Sequence, residues 1–201
     1  MIDLLEIPDF LDDDARAALL AELRAATRAP ATVLSEQAEG TVRAAVRRST
    51  RVEVSSETRG RVAARLAAAR PALEAHFGAA LGACEPPQFL RYETGDFFVP
   101  HQDGNTPLVW DDSRFRRVSA VVFLSPRSDV DGDEGYGGGA LIFHPAPGAD
   151  DAPVPASGAP GSLVAFRAET THEVTAVTYG ERFTIAAFFR APEASSAPLC
   201  L

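Results

Sequence analysis

Two histidines and one aspartate, well separated along this chain, have the chemistry of a single metal site. His101 and Asp103 lie in the segment VPHQDG, and His172 lies in AETTHEVT. Two neutral imidazoles and one carboxylate form a facial set of three ligands that holds Fe(II) and leaves its other coordination positions open. The three residues therefore predict a non-haem iron site with room for further ligands on the metal.

The spacing of His101 and Asp103 suits a shared metal if both lie on one strand. Residues i and i+2 of a strand project from the same face. The segment 97–101 is apolar enough for a strand, and Gly104 is expected to end it. His172 begins a later segment of the same kind. His144 is an alternative second histidine, but it is expected instead to end a strand, because no basic residue follows it at a short distance.

Arg182 adds an argument for an anionic ligand near the metal. It opens the apolar segment RFTIAAFF, where a guanidinium is costly to bury without an anion. Arginine pairs with carboxylates through two parallel hydrogen bonds. Thr184 lies two residues further on, on the same strand face, and offers a hydroxyl. A site for a carboxylate is therefore predicted beside the metal.

The elements that must position these residues change in kind along the chain. Residues 1–85 are predicted to be mainly helical, with a first helix that Asp9 or Asp12 caps. A second helix is expected over residues 57–81, where Pro71 is predicted to kink or split it. Between the two helices, residues 44–54 alternate enough to indicate a strand.

After residue 86 the sequence is rich in short β-type segments separated by Gly, Pro and Asp. The predicted strands cover residues 88–93, 97–101, 117–124, 139–143, 162–166, 173–178 and 183–190. Seven or eight short strands indicate a barrel or a double-sheet jelly roll. We therefore predict one domain over residues 1–201, in which residues 1–85 support a jelly-roll core formed by residues 86–201.

Composition and charge exclude several classes of protein. The net charge of −9 argues against nucleic-acid binding, because phosphate recognition needs clustered Lys and Arg. Arg47, Arg48, Arg114, Arg116 and Arg117 are interpreted as surface or lid residues. The sequence has no recognisable signal peptide or membrane span, and two cysteines imply no disulfide framework, so a cytoplasmic location is expected.

Several segments together resemble the prolyl 4-hydroxylase-like branch of the 2-oxoglutarate- and Fe(II)-dependent dioxygenases. RYETGDFFVPHQD resembles the family's first metal-binding strand, and GGGALIFHP its Gly-Gly-x-Leu segment. THEVTAVTYGERFTIAAFF is similar to the stretch that holds the second histidine and binds the cosubstrate. The resemblance implies a mainly β fold: a double-stranded β-helix (jelly roll, cupin-like) core with N-terminal helices packed on the major sheet.

The same resemblance implies a role for each candidate residue. His101, Asp103 and His172 would hold Fe(II), Arg182 would pair with the distal carboxylate of 2-oxoglutarate, and Tyr92 would line the same pocket. O2 is the other implied cosubstrate, and ascorbate is considered as an accessory reductant. The implied reaction hydroxylates an unactivated C–H bond, of a prolyl or other amino-acid residue, and releases succinate and CO2.

The sequence leaves the substrate and the oligomeric state open. One alternative to a protein or peptide substrate is a free amino acid or another small molecule in biosynthesis. The alternative to an enzyme is a non-catalytic cupin-like metal-binding module. Some family members carry a second tyrosine on the strand after the lid, where this chain has Val121, Val122 and Phe123, so Thr184 is expected to compensate. The loop 105–115, with Trp110, is expected to cover the site.

Overall fold

The structure is a computed structural model that describes residues 2–30, 45–107, 111–130 and 135–193. The prediction that Trp110 belongs to a lid over the site falls outside the described residues, as does the predicted start of a strand at Ala44. None of the helices in the described ranges has the length and apolar character of a transmembrane span.

The first helix, α1 (Asp13–Ala25), begins where the predicted cap lies. The Asp12 carboxylate accepts a hydrogen bond from the backbone N–H of Ala15 at 2.8 Å. An N-cap of this kind satisfies one of the free N–H groups of the first turn. Asp9 is not the cap. It lies in the preceding turn with a positive φ of 51°.

The second helix, α2 (Ser56–Phe77), is continuous through Pro71, so of the two predicted effects of this proline the split does not occur. Ser55 caps its N-terminus by accepting from the Thr58 N–H at 3.2 Å. The helix ends four residues earlier than predicted because Gly78 adopts the left-handed conformation, with φ 60°, that commonly terminates helices.

A seven-stranded major sheet is the largest element of the fold. Its strands, in spatial order, are β1 (Leu4–Ile7), β11 (Leu163–Arg167), β7 (Arg116–Phe123), β14 (Arg182–Arg190), β5 (Gln88–Tyr92), β4 (Thr50–Val52) and β2 (Arg28–Pro30). Three of these strands precede residue 85, so the N-terminal part of the chain extends the sheet as well as covering it.

The facing minor sheet has five strands, and a short two-stranded ribbon adjoins the fold. The minor sheet, in spatial order, is β10 (Val154–Pro155), β9 (Leu141–Phe143), β12 (His172–Val174), β6 (Phe97–His101) and β3 (Arg47–Arg48). The ribbon pairs β13 (Val177–Tyr179) with β8 (Gly137–Gly138). The single strand predicted over residues 173–178 is therefore two strands in different sheets.

The segment predicted as one strand over residues 44–54 also divides between the sheets. β3 pairs with β6 in the minor sheet, and β4 pairs with β5 in the major sheet. Ser49, which lies between them, is buried and accepts a hydrogen bond from the Arg47 side chain. The chain thus crosses from one sheet to the other within a single residue.

Alternation along the central strand β14 divides the core into two layers. Phe183, Ile185, Ala187 and Phe189 are buried against the apolar faces of α1 and α2. The alternate residues point into the space between the two sheets, since successive side chains of a strand face opposite sides. The predicted jelly-roll architecture, with helices on the major sheet, is confirmed.

Candidate metal and cosubstrate site

The three predicted ligands converge at one end of the space between the sheets. His101 Nε2 lies 3.6 Å from Asp103 Oδ1, and His172 Nε2 lies 3.4 Å from Asp103 Oδ2. The three ligand atoms all lie within 4.8 Å of one another. Two ring nitrogens and a carboxylate that face a common point at this distance can share one metal ion.

Backbone carbonyls fix the orientation of both imidazoles. The Nδ1 atom of His101 lies 2.9 Å from the Val99 carbonyl oxygen, and that of His172 lies 2.8 Å from the Thr170 carbonyl oxygen. Because a carbonyl only accepts, each Nδ1 carries a hydrogen, and in the neutral ring each Nε2 then has the lone pair that faces Asp103. This is the arrangement by which proteins orient histidine ligands of a metal.

The site favours the protonation states that metal binding requires. Burial lowers the pKa of His172 to about 4, although the neighbouring Asp103 carboxylate opposes the shift. Burial raises the pKa of Asp103, but His172 and His101 lower it by more, so the net pKa lies below the usual range. Near neutral pH the site therefore holds a neutral His172 and an ionised Asp103.

β6 has the predicted bounds, but Asp103 lies beyond it, although the same-face argument requires both ligands on one strand. β6 ends at His101, and Asp103 follows in an irregular segment. Its backbone N–H donates to the Ala168 carbonyl at 2.9 Å, which ties the segment to the connection between β11 and β12. The same-face argument for residues i and i+2 thus does not account for the meeting of His101 and Asp103.

Arg182 is a buried cation with unused hydrogen-bond donors. It is 1% exposed, and its Nη1 donates to Thr184 Oγ1 at 3.3 Å. Its Nε and Nη2 atoms have no partner among the described residues. The guanidinium carbon lies 5.1 Å from the ring centroid of Tyr92 and 5.5 Å from that of Phe123. Buried donors of a charged group require partners, so the position is suited to an anion.

One cavity joins the cation to the metal ligands. Its lining includes His101, Asp103, His172, Arg182, Thr184 and Tyr92, the six candidate residues of the sequence. Phe123, on β7, is the register partner of Thr184, so this position beside Arg182 has an apolar ring and no hydroxyl. Thr184 is therefore the hydroxyl next to Arg182 on this side of the cavity.

Arg47 and Gln88 also line this cavity, and sequence reasoning missed both. The predicted surface position of Arg47 is wrong: the residue is buried, and its guanidinium carbon lies 4.8 Å from the ring centroid of Phe98. The Phe98 ring stacks on His101 with centroids 3.5 Å apart. Alternation offered a signal, since one of two consecutive arginines on a strand must face inward.

The predicted surface or lid position of Arg116 is also wrong, because the structure buries this residue. It pairs with Glu85 through two hydrogen bonds. His144, the alternative histidine, lies outside the ligand cluster and pairs with Glu173 at 3.0 Å. It directly follows β9, so it lies at a strand end as the sequence indicates.

Comparison with known sequences identifies the part of the chain that holds the site. Residues 87–190 match the model of the 2OG-Fe(II) oxygenase superfamily. A PKHD-type hydroxylase of Paracoccus denitrificans (strain Pd 1222) is 39% identical over 106 residues, which are 52% of this chain and 41% of that protein. A PKHD-type hydroxylase of Burkholderia ambifaria (strain MC40-6) is 35% identical over 105 residues, which again are 52% of this chain and 41% of that protein. The chain spans about two fifths of the length of the curated relatives it matches.

Solved structures share the fold over nearly the whole chain. A Pseudomonas putida prolyl-4-hydroxylase superposes with a TM-score of 0.71 at 25% identity, covering 95% of this chain and 94% of that one. A prolyl hydroxylase from Trichoplax adhaerens, in complex with a hypoxia-inducible factor peptide, superposes with a TM-score of 0.70 at 15% identity, covering 94% and 84%. The second likeness concerns the fold alone.

The donor set fits the metal and cosubstrate of that superfamily. Two neutral imidazoles and a carboxylate suit Fe(II), and a buried guanidinium with unpaired donors suits the far carboxylate of 2-oxoglutarate. The match covers more than half of the chain and includes all six residues. The resemblance drawn from the sequence is thus confirmed: the chain belongs to the 2OG-Fe(II) oxygenase superfamily.

Proposed function

We propose that this protein is an Fe(II)- and 2-oxoglutarate-dependent dioxygenase that hydroxylates an unactivated C–H bond of a prolyl or other amino-acid residue. The observation that carries the proposal is Arg182. Arg182 lines the cavity that holds the metal ligands. Its side chain is 1% exposed, and two of its guanidinium nitrogens are unpaired among the described residues. A metal-binding module without a cosubstrate has no use for such a cation, which is costly to bury.

Each residue of the site has a task in this reaction. His101, Asp103 and His172 would hold Fe(II), Arg182 and Thr184 would hold the distal carboxylate of 2-oxoglutarate, and Tyr92 would form one wall of its pocket. With O2, the bound metal and cosubstrate supply the oxidising power, and 2-oxoglutarate leaves as succinate and CO2. The protein orients these groups, and the apolar core around them keeps water away.

The proposed substrate class rests on two similarities. The Pseudomonas putida prolyl-4-hydroxylase matches this chain at 25% identity over nearly its full length, and the curated relatives are PKHD-type hydroxylases. Both support an amino-acid residue as the hydroxylated group. The substrate is proposed to be a protein or peptide, and free amino acids form a separate arm of the test.

The test measures turnover of the wild-type chain with Fe(II), 2-oxoglutarate, ascorbate and O2. Succinate formation is followed against a panel of proline-containing peptides, the same peptides with alanine for proline, and free amino acids. Mass spectrometry identifies products that have gained one oxygen atom. We expect hydroxylation of a peptide in proportion to the succinate formed.

Three variants connect turnover to the site. His101→Ala and Asp103→Ala are expected to abolish turnover, and Arg182→Ala to raise the 2-oxoglutarate concentration that is required. His144→Ala is the matched control, because His144 lies nearby but outside the ligand cluster. Absence of succinate from the wild type under every condition would indicate a binding module. Product from free amino acids alone would reassign the substrate class.

A further inference from the structure

The segment that carries Asp103 lies outside the strands of both sheets and is tied to the residue that follows β11. Asp103 lies two residues beyond the end of β6, and its backbone N–H and that of Gly104 both donate to the Ala168 carbonyl, at 2.9 and 3.1 Å. The Asp103 carbonyl accepts a hydrogen bond from Arg116 Nη1 at 3.2 Å. The position of this proposed iron ligand therefore depends on the Ala168 carbonyl and on a side chain from β7.

The Arg116 guanidinium contacts Glu85 and Phe188 as well as the Asp103 carbonyl. Its Nε and Nη2 donate to the two carboxylate oxygens of Glu85, at 3.0 and 2.7 Å. The guanidinium carbon lies 3.7 Å from the ring centroid of Phe188, which lines the site cavity. A planar fork held on one edge by Glu85 and on one face by Phe188 has little freedom, so the remaining Nη1 points steadily at the Asp103 carbonyl.

Glu85 is itself fixed to the major sheet. Its backbone N–H donates to the Phe188 carbonyl at 2.8 Å, and the neighbouring Cys84 forms a bridge with Phe189. The carboxylate therefore sits on the part of the chain that is anchored to β14. Because Glu85 is anchored to β14, it fixes the orientation of Arg116 relative to the strand that also carries Arg182.

Close packing around Gly104 leaves the ligand segment no room to move independently. A Cβ atom at Gly104 would lie 2.1 Å from the Ser113 carbonyl oxygen and 3.0 Å from the Arg116 Cβ. Ser113 belongs to a 3-10 helix (Asp112–Phe115) that leads directly into Arg116. A shift of Arg116 is thus expected to be transmitted to the residues around Asp103.

We propose that Arg116, oriented by Glu85, is a positioning residue that fixes Asp103 for iron binding. The proposal rests on the metal site of the proposed function and assigns a role that lies outside the cavity. The proposed role requires the planar guanidinium of arginine, with its several donors, and not only its positive charge. A lysine ammonium is a single point of charge, which cannot serve the Glu85 carboxylate and the Asp103 carbonyl with the same geometry.

The experiment is a titration of the metal-free full chain with Co(II), followed by visible absorption, for the wild type, Arg116→Gln, Arg116→Lys and Glu85→Gln. We expect Co(II) affinity to fall about 10- to 100-fold in both Arg116 variants, the usual effect of removing a group that orients a metal ligand. The absorption bands should also change, because the geometry of the Asp103 ligand changes. Thermal unfolding in chelator shows whether each variant is folded.

The exposed ion pair between Arg59 and Glu53, at 3.0 Å, provides the matched control. Arg59→Gln and Glu53→Gln remove the same chemical groups far from the site and are expected to leave Co(II) affinity unchanged. Wild-type affinity and spectrum in Arg116→Lys would overturn the proposal, as would wild-type values in Glu85→Gln and Arg116→Gln together. Failure of the wild-type chain to bind Co(II) would instead refute the metal site itself, and the positioning role with it.

Discussion

His101 and His172 are direct cross-strand partners, the last residue of β6 opposite the first residue of β12. Their ring centroids lie 4.2 Å apart. Directly opposed residues of an antiparallel pair project from the same face, so the register of these two strands brings both imidazoles to one point. A slip of one residue would turn one of the rings to the other face of the sheet.

Metal binding should therefore stabilise the folded chain, and each ligand should be needed. At a free Co(II) or Mn(II) concentration 100-fold above the Kd, stabilisation is about 2.7 kcal/mol for a single site. We expect this increase in the free energy of unfolding in the wild type and its loss in His101→Ala and His172→Ala. Urea unfolding with and without metal measures it. Full stabilisation of His172→Ala by metal would contradict the assignment.

Replacement of Arg182 should separate cosubstrate binding from stability. Arg182→Met removes a buried cation whose Nε and Nη2 lack partners among the described residues, so the free energy of unfolding without cosubstrate should not fall. Binding of 2-oxoglutarate should weaken by on the order of 2–5 kcal/mol, the usual loss when one partner of a buried charge pair is removed. Calorimetric titration of the Mn(II)-loaded chain checks the affinity. Unchanged affinity would show that the cosubstrate carboxylate lies elsewhere.

Acidification should destabilise the metal-free protein. The folded-state pKa of His172, about 4, lies below its usual value of 6.5, so the unfolded chain binds more protons between these two pH values. Stability due to His172 is therefore lost as pH falls from 6.5 to about 4, with a slope of at most about 1.4 kcal/mol per pH unit. Asp103, whose pKa is also lowered, adds a loss in the same direction below about pH 5.

Chemical unfolding in chelator, from pH 7.5 to 4.5, measures this dependence. His172→Gln removes the imidazole and should flatten the curve between pH 6.5 and 5, where Asp103 stays ionised. Equal slopes for the variant and the wild type in that interval would show that the buried imidazole is not the group responsible.

The sequence predicted the parts of the fold and the site that depend on local pattern. The β14 segment alternates between large apolar residues toward the helices and Arg182 and Thr184 toward the site, and a period of two is visible in sequence. The sequence pattern placed Asp103 on the same strand face as His101, but in the structure Asp103 lies beyond the strand. What holds it is a hydrogen bond to Ala168 and another from Arg116, both distant in sequence.

The burial of Arg47 and Arg116 was the other feature that the sequence analysis did not predict. Arg47 and Arg116 are charged, and a charge favours the surface unless a partner compensates it. The partner of Arg116 is Glu85, 31 residues away. Side chains that are so far apart in the sequence pair only in the folded protein, so local sequence pattern does not predict the pair.

Cys84 should be a slowly reacting thiol in the folded chain. Burial raises its pKa to about 11, and its Sγ lies 3.3 Å from the Glu85 carbonyl oxygen, to which it donates. At pH 8 only about one thiol in a thousand is then ionised, and the thiolate is the reactive form. In a Cys200→Ser background, which leaves one cysteine, alkylation by iodoacetamide should be at least about 100-fold slower than in urea. Similar rates in both conditions would contradict the raised pKa of this thiol.

Gly139 should be required for cosubstrate binding because any side chain at this position would contact Arg182. Gly139 has a φ of 55°, and a Cβ there would lie 3.0 Å from Arg182 Cδ and 3.0 Å from Val177 Cγ2. Gly139→Ala is expected to cost about 1–2 kcal/mol in the free energy of unfolding, from the left-handed backbone alone. It should also displace the Arg182 side chain and weaken 2-oxoglutarate binding about 10-fold or more, by analogy with losses of other orienting groups.

Gly148→Ala is the matched control for this substitution. Gly148 has a φ of 86°, but a Cβ there would meet no atom within 4 Å, so the variant shares the backbone strain without the contact with Arg182. It should lose stability and keep its affinity for 2-oxoglutarate. Calorimetric titration of both variants in the Mn(II)-loaded state distinguishes the two effects. Equal affinities would show that Gly139 serves only the backbone conformation and that Arg182 has room to adjust.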